Sequence, residues 1–233
     1  MNSESAIQHN IERVRRRIAA AEQRYGRAPG SVDLLAVSKT RPAADILAAV
    51  HSGQRRFGES YLQEALDKVA ALAEYKLEWH FIGPIQSNKT RPIAETFDWV
   101  HSIERLKIAR RLSEQRPESL AALNICLQVN IDGEASKAGC TIEELPQLAA
   151  EIASLPRLRL RGLMAIPRPR QSLEQQREPF RRLREALEQL QGLGYELDTL
   201  SMGMSGDLEA AVAEGATIVR IGTDIFGARD YSR

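Results

Sequence analysis

A lysine follows a short apolar run near the start of the chain, where an amine is costly to bury. In DLLAVSKTRP, residues 33–42, the apolar core predicts a strand buried on both faces, and Lys39 stands just after it. Burial lowers the pKa of a lysine and makes its amine nucleophilic. Lys39 could therefore bind a phosphate as a point charge or form a Schiff base with a carbonyl compound. The alternative is a side chain that reaches solvent and pairs with Glu59.

Two later segments have the composition of a phosphate site. SMGMSGD, residues 201–207, supplies small residues, two hydroxyls and glycines immediately before a predicted helix, and RIGT, residues 220–223, adds the N–H of Gly222 and the Thr223 hydroxyl. Backbone N–H groups at such turns favour an anion. Either segment alone could simply form a turn, but both on adjacent strands indicate phosphate binding.

The RIGT segment begins with an arginine, Arg220, whose side chain is predicted to point into the interior of the fold. Arg220 could face a ring nitrogen or a carboxylate of a ligand, or could form a structural ion pair inside the fold.

The elements that must position these groups alternate regularly. Strands are predicted at 33–39, 55–60, 78–83, 98–103, 123–131, 158–167, 199–204 and 217–227. Helices are predicted at 42–53, 61–75, 87–97, 104–116, 141–155, 172–194 and 206–215, after an amphipathic N-terminal helix at about 3–25. Strands separated by helices pair in parallel, and this number of units favours a single (β/α)8 barrel over residues 1–233, with a doubly wound open sheet as the alternative. Because active sites of such barrels lie at the carboxyl ends of the strands, Lys39 and both glycine-containing segments should meet there.

Composition argues against several classes of function. The net charge is +1 and aromatic residues make up 5% of the chain, so nucleic acid and membrane partners are not indicated. Two cysteines, Cys126 and Cys140, and four scattered histidines show no metal-ligand spacing and fit a reducing, cytoplasmic location. The N-terminal segment lacks the apolar core of a signal peptide, and no apolar run is long enough to span a membrane.

Six motifs together resemble one family. They are AVSKT, FGESYLQEA, WHFIGPIQSNKT, VNIDGEASKAG, RGLMAIP, and the C-terminal run from LSMGMSGD to VRIGTDIFGAR. Over residues 31–229 the chain is similar to the YggS/PROSC family, the pyridoxal phosphate homeostasis proteins, which resemble the N-terminal barrel of alanine racemase and ornithine decarboxylase.

The resemblance implies pyridoxal 5′-phosphate (PLP) held as a Schiff base on Lys39. It assigns the phosphate to Ser201, Ser205, Gly222 and Thr223, the pyridine nitrogen to Arg220, and the pocket wall to His80 and Ile82. An arginine facing that nitrogen disfavours its protonated form and weakens the cofactor as an electron sink.

Two positions qualify the resemblance. The family usually has asparagine where this chain has Ser60, so a contact to the cofactor there would need a bridging water. Lys137 matches a second family lysine, for which we expect a solvated loop position and no catalytic role.

Three functions remain open. The first is a PLP carrier that buffers this reactive aldehyde without turnover, as a monomer that meets PLP-dependent apo-enzymes transiently. The second is a small amino-acid racemase that uses Lys39 as base. The third is a barrel that binds a sugar phosphate. The resemblance favours the carrier, because racemases of this kind use a second domain, which we do not expect here, and a tyrosine as the second base opposite the lysine. No tyrosine lies at a predicted strand end, since the five are Tyr25, Tyr61, Tyr75, Tyr195 and Tyr231.

Overall fold

The computed structural model describes residues 3–135 and 137–228 and places eight parallel strands in a closed barrel. Tyr231 and the outermost parts of the predicted 1–233 domain lie outside the described residues. The strands are β1 (Asp33–Val37), β2 (Arg56–Glu59), β3 (Glu78–Phe81), β4 (Trp99–Ile103), β5 (Leu123–Val129), β6 (Leu158–Ala165), β7 (Thr199–Ser201) and β8 (Ile218–Ile221). Pairing of Asp33 with Ile218 closes the sheet. The predicted (β/α)8 barrel is thus confirmed, and the open-sheet alternative is wrong.

The helices surround the barrel in the predicted order. They are α1 (Ser3–Arg24), α2 (Ala43–His51), α3 (Leu62–Ala71), α4 (Thr90–Thr96), α5 (Leu106–Gln115), α6 (Leu145–Ala153), α7 (Leu173–Gly192), α8 (Leu208–Ala213) and α9 (Thr223–Phe226). Pro92 lies in the first turn of α4, where its missing N–H costs no hydrogen bond. In the part of the chain described, no helix has the length and apolar content to cross a bilayer.

The segment after β8 differs from the prediction. A strand was expected over 217–227, but β8 ends at Ile221 and the short helix α9 follows. The carbonyl of Gly222 accepts hydrogen bonds from the N–H groups of Ile225 and Phe226 at 3.0 and 2.9 Å, which turns the chain into a helix. Both apolar side chains are buried by that helix. Their burial explains why the apolar run was mistaken for a continuing strand.

Helix α6 also begins later than predicted. Thr141 and Glu144 exchange a pair of hydrogen bonds, Thr141 N to Glu144 Oε2 at 2.8 Å and Glu144 N to Thr141 Oγ1 at 3.3 Å. These bonds close a turn that precedes the helix, which starts at Leu145.

The core has two parts. The larger lies between the barrel and the helices, and the apolar stripe of α1 (Ile7, Ile11, Val14 and Ile18) is buried in it. The smaller lies inside the barrel and contains Trp99, Cys126 and Met164. Polar side chains share the barrel interior with them: His80, His101, Ser201 and Arg220 are all at least nine-tenths buried. Barrel interiors are usually filled by branched apolar residues, so these polar groups need a specific explanation.

Candidate functional site

A cavity of about 300 Å³ opens at the carboxyl ends of the strands. It is lined by Val37, Lys39, Arg41, Ser60, Ile82, Ile166, Met204, Ser205, Gly206, Arg220, Gly222, Thr223 and Gly227. These residues come from the ends of β1, β2, β3, β6, β7 and β8 and the loops that follow. The lysine and both glycine-containing segments therefore share one cavity, as the barrel topology predicts.

Six of the eight residues singled out from the sequence line this cavity: Lys39, Ile82, Ser205, Arg220, Gly222 and Thr223. Ser60, at the position where the family has asparagine, lines it as well.

Two of the predicted residues, Ser201 and His80, are not among those that line the cavity. Ser201 is fully buried in β7, and its Oγ lies 2.7 Å from both Arg220 Nη1 and His101 Nδ1. The ring of His80 stacks on Trp99 inside the barrel, with centroids 5.4 Å apart. Both side chains therefore make their contacts inside the barrel, and neither lines this cavity in the way expected from the sequence.

The turn that carries Lys39 is fixed by a buried ionic cluster on the outer side of β1 and β2. Lys68 Nζ lies 2.8 Å from Glu59 Oε1 and donates to the carbonyl of Ser38 at 2.8 Å, and it also pairs with Glu64. Ser38 Oγ donates to Glu59 Oε1 at 2.5 Å. Burial raises the pKa of Glu59, and the charge of Lys68 opposes that rise. Glu59, the partner considered for Lys39, is thus held by Lys68, and the cluster locks the backbone on the amino side of Lys39.

The other side of the same turn is also held. The N–H of Thr40 donates to Glu64 Oε1 at 2.6 Å, and Thr40 has a φ of 64°, in the left-handed region that side chains other than glycine rarely adopt. Lys39 itself is half-buried. The amine is therefore presented to the cavity from a constrained backbone.

The lining of the cavity is cationic. Lys39, Arg41 and Arg220 contribute positive side chains, and no carboxylate occurs among the described lining residues. Arg41 donates to the carbonyls of Gly227 and Ala228 at 2.6 and 2.8 Å, and Arg220 Nη2 donates to the carbonyl of Ala165 at 2.8 Å. Burial lowers the pKa of Arg220 to about 10, so the guanidinium stays charged at neutral pH. Such a cavity suits an anion.

Space for an anion exists beside Gly206. A Cβ built there meets no atom within 4 Å, whereas one at Gly222 comes within 3.3 Å of the Val37 carbonyl. Ser205 and Thr223, which carry hydroxyl groups, line the same cavity. The donor set is therefore an amine, hydroxyls and guanidinium groups around an open pocket, which matches a phosphorylated aldehyde.

Sequence reasoning missed several lining residues. Arg41 lies in DLLAVSKTRP, and Met204 and Gly206 lie in SMGMSGD, so position after a strand end could have singled them out. His101 lies in the predicted strand 98–103, and the sequence there gives no signal for its buried contact with Ser201.

Other reactive groups lie away from this site. Cys126 and Cys140 are buried, and burial raises the pKa of each thiol to about 12, so both stay protonated. Lys137 pairs with Glu134 at 3.0 Å on the loop after β5. Among the described residues, no cluster of His, Cys, Asp or Glu could hold a metal ion.

Comparisons with known proteins find chains that are similar to this one over almost its whole length. The family model for the alanine racemase N-terminal domain matches residues 3–230. Proteins named pyridoxal phosphate homeostasis protein are similar over 97% of this chain: one from Pseudomonas aeruginosa is 64% identical with 97% of its length covered, and one from Escherichia coli K12 is 55% identical with 98% covered. The structure of PipY from Synechococcus elongatus with PLP bound is 39% identical, with a TM-score of 0.76, over 90% of this chain and 100% of PipY.

Proposed function

Because this chain belongs to the family of pyridoxal phosphate homeostasis proteins, whose barrel is that of the alanine racemase N-terminal domain, we propose that it binds PLP in the cavity at the carboxyl ends of its strands. One observation carries the proposal: the constrained amine of Lys39 opens into the same cavity as the hydroxyls and glycines of the β7 and β8 loops. PLP presents an aldehyde and a phosphate on one small ring, and these two sets of groups suit its two ends.

Lys39 holds the aldehyde end. Its Nζ would supply the nucleophile for the PLP aldehyde, with release of one water. The clamped turn keeps this amine in place before the cofactor arrives.

Ser205, Thr223 and the backbone around Gly206 and Gly222 hold the phosphate end. The hydroxyls would donate hydrogen bonds to phosphate oxygens, for which the open space at Gly206 leaves room. Arg41 adds positive charge at the rim.

Arg220 would contact the ring nitrogen of PLP. A guanidinium is a donor only, so a ring nitrogen that it contacts must accept a hydrogen bond and stay unprotonated. An unprotonated ring is a weaker electron sink than the one that an acidic partner would produce. This arrangement supports storage and delivery of PLP in the cell over catalytic turnover, with apo-enzymes as transient recipients.

The absorbance spectrum of the protein with PLP tests the binding. We expect a visible band that borohydride bleaches, with the cofactor then covalently retained. Lys39→Ala should lose the band, and Lys107→Ala, which removes an exposed lysine from α5, should keep it. A colourless wild-type protein after incubation with PLP would contradict the proposal.

A second experiment separates a carrier from a racemase. The loaded protein is incubated with single enantiomers of amino acids, and the optical purity is followed. We expect no sustained turnover and faster transfer of PLP to an apo-enzyme than free release allows. Sustained racemisation abolished by Lys39→Ala would favour the enzyme.

A further inference from the structure

A continuous row of hydrogen-bonded side chains crosses the barrel interior. It starts at Arg220, whose Nη1 is 2.7 Å from Ser201 Oγ, and continues from Ser201 Oγ to His101 Nδ1 at 2.7 Å. His101 Nε2 lies 2.8 Å from His80 Nδ1, and His80 Nε2 lies 2.8 Å from Glu78 Oε1. The row therefore connects the cavity to the opposite end of the barrel through side chains from five positions on four strands.

The far end of the row reaches solvent. Glu78 is the first residue of β3, and its side chain is 39% exposed. It borders a separate cleft at the amino ends of the strands, where Arg56 Nε also contacts it at 3.2 Å. The three intermediate side chains are fully or almost fully buried. A cation thus stands at one end and a carboxylate at the other, with neutral groups between.

The chemistry of the two ends dictates the direction of every bond. A guanidinium only donates and an ionised carboxylate only accepts. His80 must therefore place its single proton on Nε2, toward Glu78. Its Nδ1 then accepts, so His101 must also carry its proton on Nε2, and His101 Nδ1 accepts the Ser201 hydroxyl. The Ser201 oxygen in turn accepts from Arg220.

The neutral state that this arrangement requires agrees with the surroundings. Burial lowers the pKa of His80, against the opposing effect of its bond to Glu78, and burial with the charges of His80 and Arg220 lowers the pKa of His101 well below its usual value. The bond to His80 lowers the pKa of Glu78, which keeps that carboxylate ionised.

We propose that Ser201, His101, His80 and Glu78 form a directional hydrogen-bond relay that positions the Arg220 guanidinium in the wall of the cavity. With Nη1 held by Ser201 and Nη2 by the Ala165 carbonyl, Arg220 has a fixed plane and its remaining N–H groups are left to face the cavity. The four relay members are positioning residues, since they act through Arg220. The relay rests on the proposed function only in the identity of the ligand that Arg220 meets.

The tautomers of the histidines test the relay without any ligand. In the cofactor-free wild-type protein at neutral pH, nitrogen NMR of the imidazole rings should show His101 and His80 neutral, with Nε2 protonated and Nδ1 unprotonated. A charged His101, or a proton on its Nδ1, would overturn the proposal whether or not the protein binds PLP.

Two variants test the coupling. Ser201→Ala removes the donor to His101 Nδ1 and the acceptor for Arg220, so the His101 Nδ1 resonance should shift and PLP affinity, measured by absorbance titration, should fall about three- to tenfold. Glu78→Gln allows the amide to donate and should shift the His80 nitrogens. Ser154→Ala and Glu196→Gln, at exposed positions, serve as matched controls. Unchanged imidazole resonances in Ser201→Ala, or affinity equal to that of Ser154→Ala, would overturn the proposal.

Discussion

The ammonium group of Lys68 on α3 donates to the main-chain carbonyl of Ser38, 30 residues earlier, at 2.8 Å. Ser38 immediately precedes Lys39, so a buried charge outside the barrel supports the backbone that presents the amine inside it. The pairing of Lys68 with Glu59 is almost completely buried, with side-chain exposures of 6% and 0%. Removal of one partner from a buried ion pair leaves the other charge uncompensated.

Lys68→Met should therefore destabilise the protein by about 3 to 5 kcal/mol in urea unfolding. The remaining Glu59 carboxylate would resist ionisation, because burial already raises its pKa and Lys68 no longer opposes this. The folded variant then keeps a proton on Glu59 that the unfolded chain releases above the usual glutamate pKa, so the variant loses stability as the pH rises above that value. The double variant Lys68→Met/Glu59→Gln should recover much of the loss. A double variant as unstable as the single one, with the same pH dependence, would argue against an uncompensated Glu59.

Thr40→Gly should stabilise the turn after Lys39. Thr40 has a φ of 64°, and its side chain is exposed. Glycine relieves the left-handed strain at some cost in chain entropy, and we expect a net gain of about 0.5 kcal/mol. Thr96→Gly, at the end of α4, is the matched control and should be destabilising by a similar amount. Thermal unfolding of the two variants should thus shift in opposite directions; a loss of stability in Thr40→Gly would contradict the strain.

Gly162→Ala should disrupt the junction of β6 and β7. A Cβ at this position would lie 1.8 Å from the Thr199 carbonyl oxygen, so the strands must separate. We expect a loss of more than about 3 kcal/mol. Gly192→Ala, at the end of α7, meets no atom within 4 Å and should gain about 0.5 kcal/mol. Equal stabilities of these two glycine-to-alanine variants would show that β6 and β7 are not in such close contact.

Gly206→Val should weaken PLP binding without a large change in stability. No atom lies within 4 Å of a Cβ at Gly206, and the residue lines the cavity, so the new side chain would occupy space that we assign to the phosphate. We expect PLP affinity to fall at least about tenfold while the free energy of unfolding changes by less than about 1 kcal/mol. Gly206→Ala should have a smaller effect. Pyridoxal, which lacks the phosphate, is the matched ligand: if its binding fell as much as that of PLP, the phosphate would not lie at Gly206.

Stability should decline as the pH falls through the titration range of unfolded histidine. Burial lowers the pKa of His80 and of His101. The ionisable groups near His80 are Glu78, Asp98, Arg56 and His101. Those near His101 are His80 and Arg220. Below about pH 6.5 these histidines are protonated in the unfolded chain but remain neutral in the folded protein. Each therefore lowers the free energy of unfolding by at most about 1.4 kcal/mol per pH unit as the pH falls. Urea unfolding at about pH 7.5 and about pH 5.5 measures the difference.

Two variants isolate this effect. His101→Asn should reduce the loss of stability between the two pH values, because it removes one of the two histidines whose pKa is lowered in the folded protein. His9→Asn, at an exposed position on α1, should leave it as in the wild type. A pH dependence unaffected by His101→Asn would mean that His101 titrates normally in the folded protein.

Local patterns in the sequence determined the element order and most of the site. Apolar runs, proline and glycine positions and strand ends predicted the closed barrel, because each feature depends on neighbours in the chain. In a parallel barrel all strands end at one face, so the strand order alone was enough to place Lys39, Ser205, Gly222 and Thr223 around one cavity. The prediction of a continuous strand after Ile221 was wrong because a buried strand and a buried short helix have the same apolar composition.

Tertiary structure alone decided which polar residues reach the cavity and which support it. Ser201 and His80 lie in the second half of their strands, yet their side chains contact His101 inside the barrel, and 100 residues separate His101 from Ser201 in the chain. The contact of Lys68 with Ser38 likewise depends on how α3 packs on β1 and β2. Such contacts depend on strand register and on the direction of each side chain in a closed sheet. Neither property is encoded in any short stretch of sequence. Only the assembled barrel therefore distinguishes a residue that lines the cavity from one that positions such a residue.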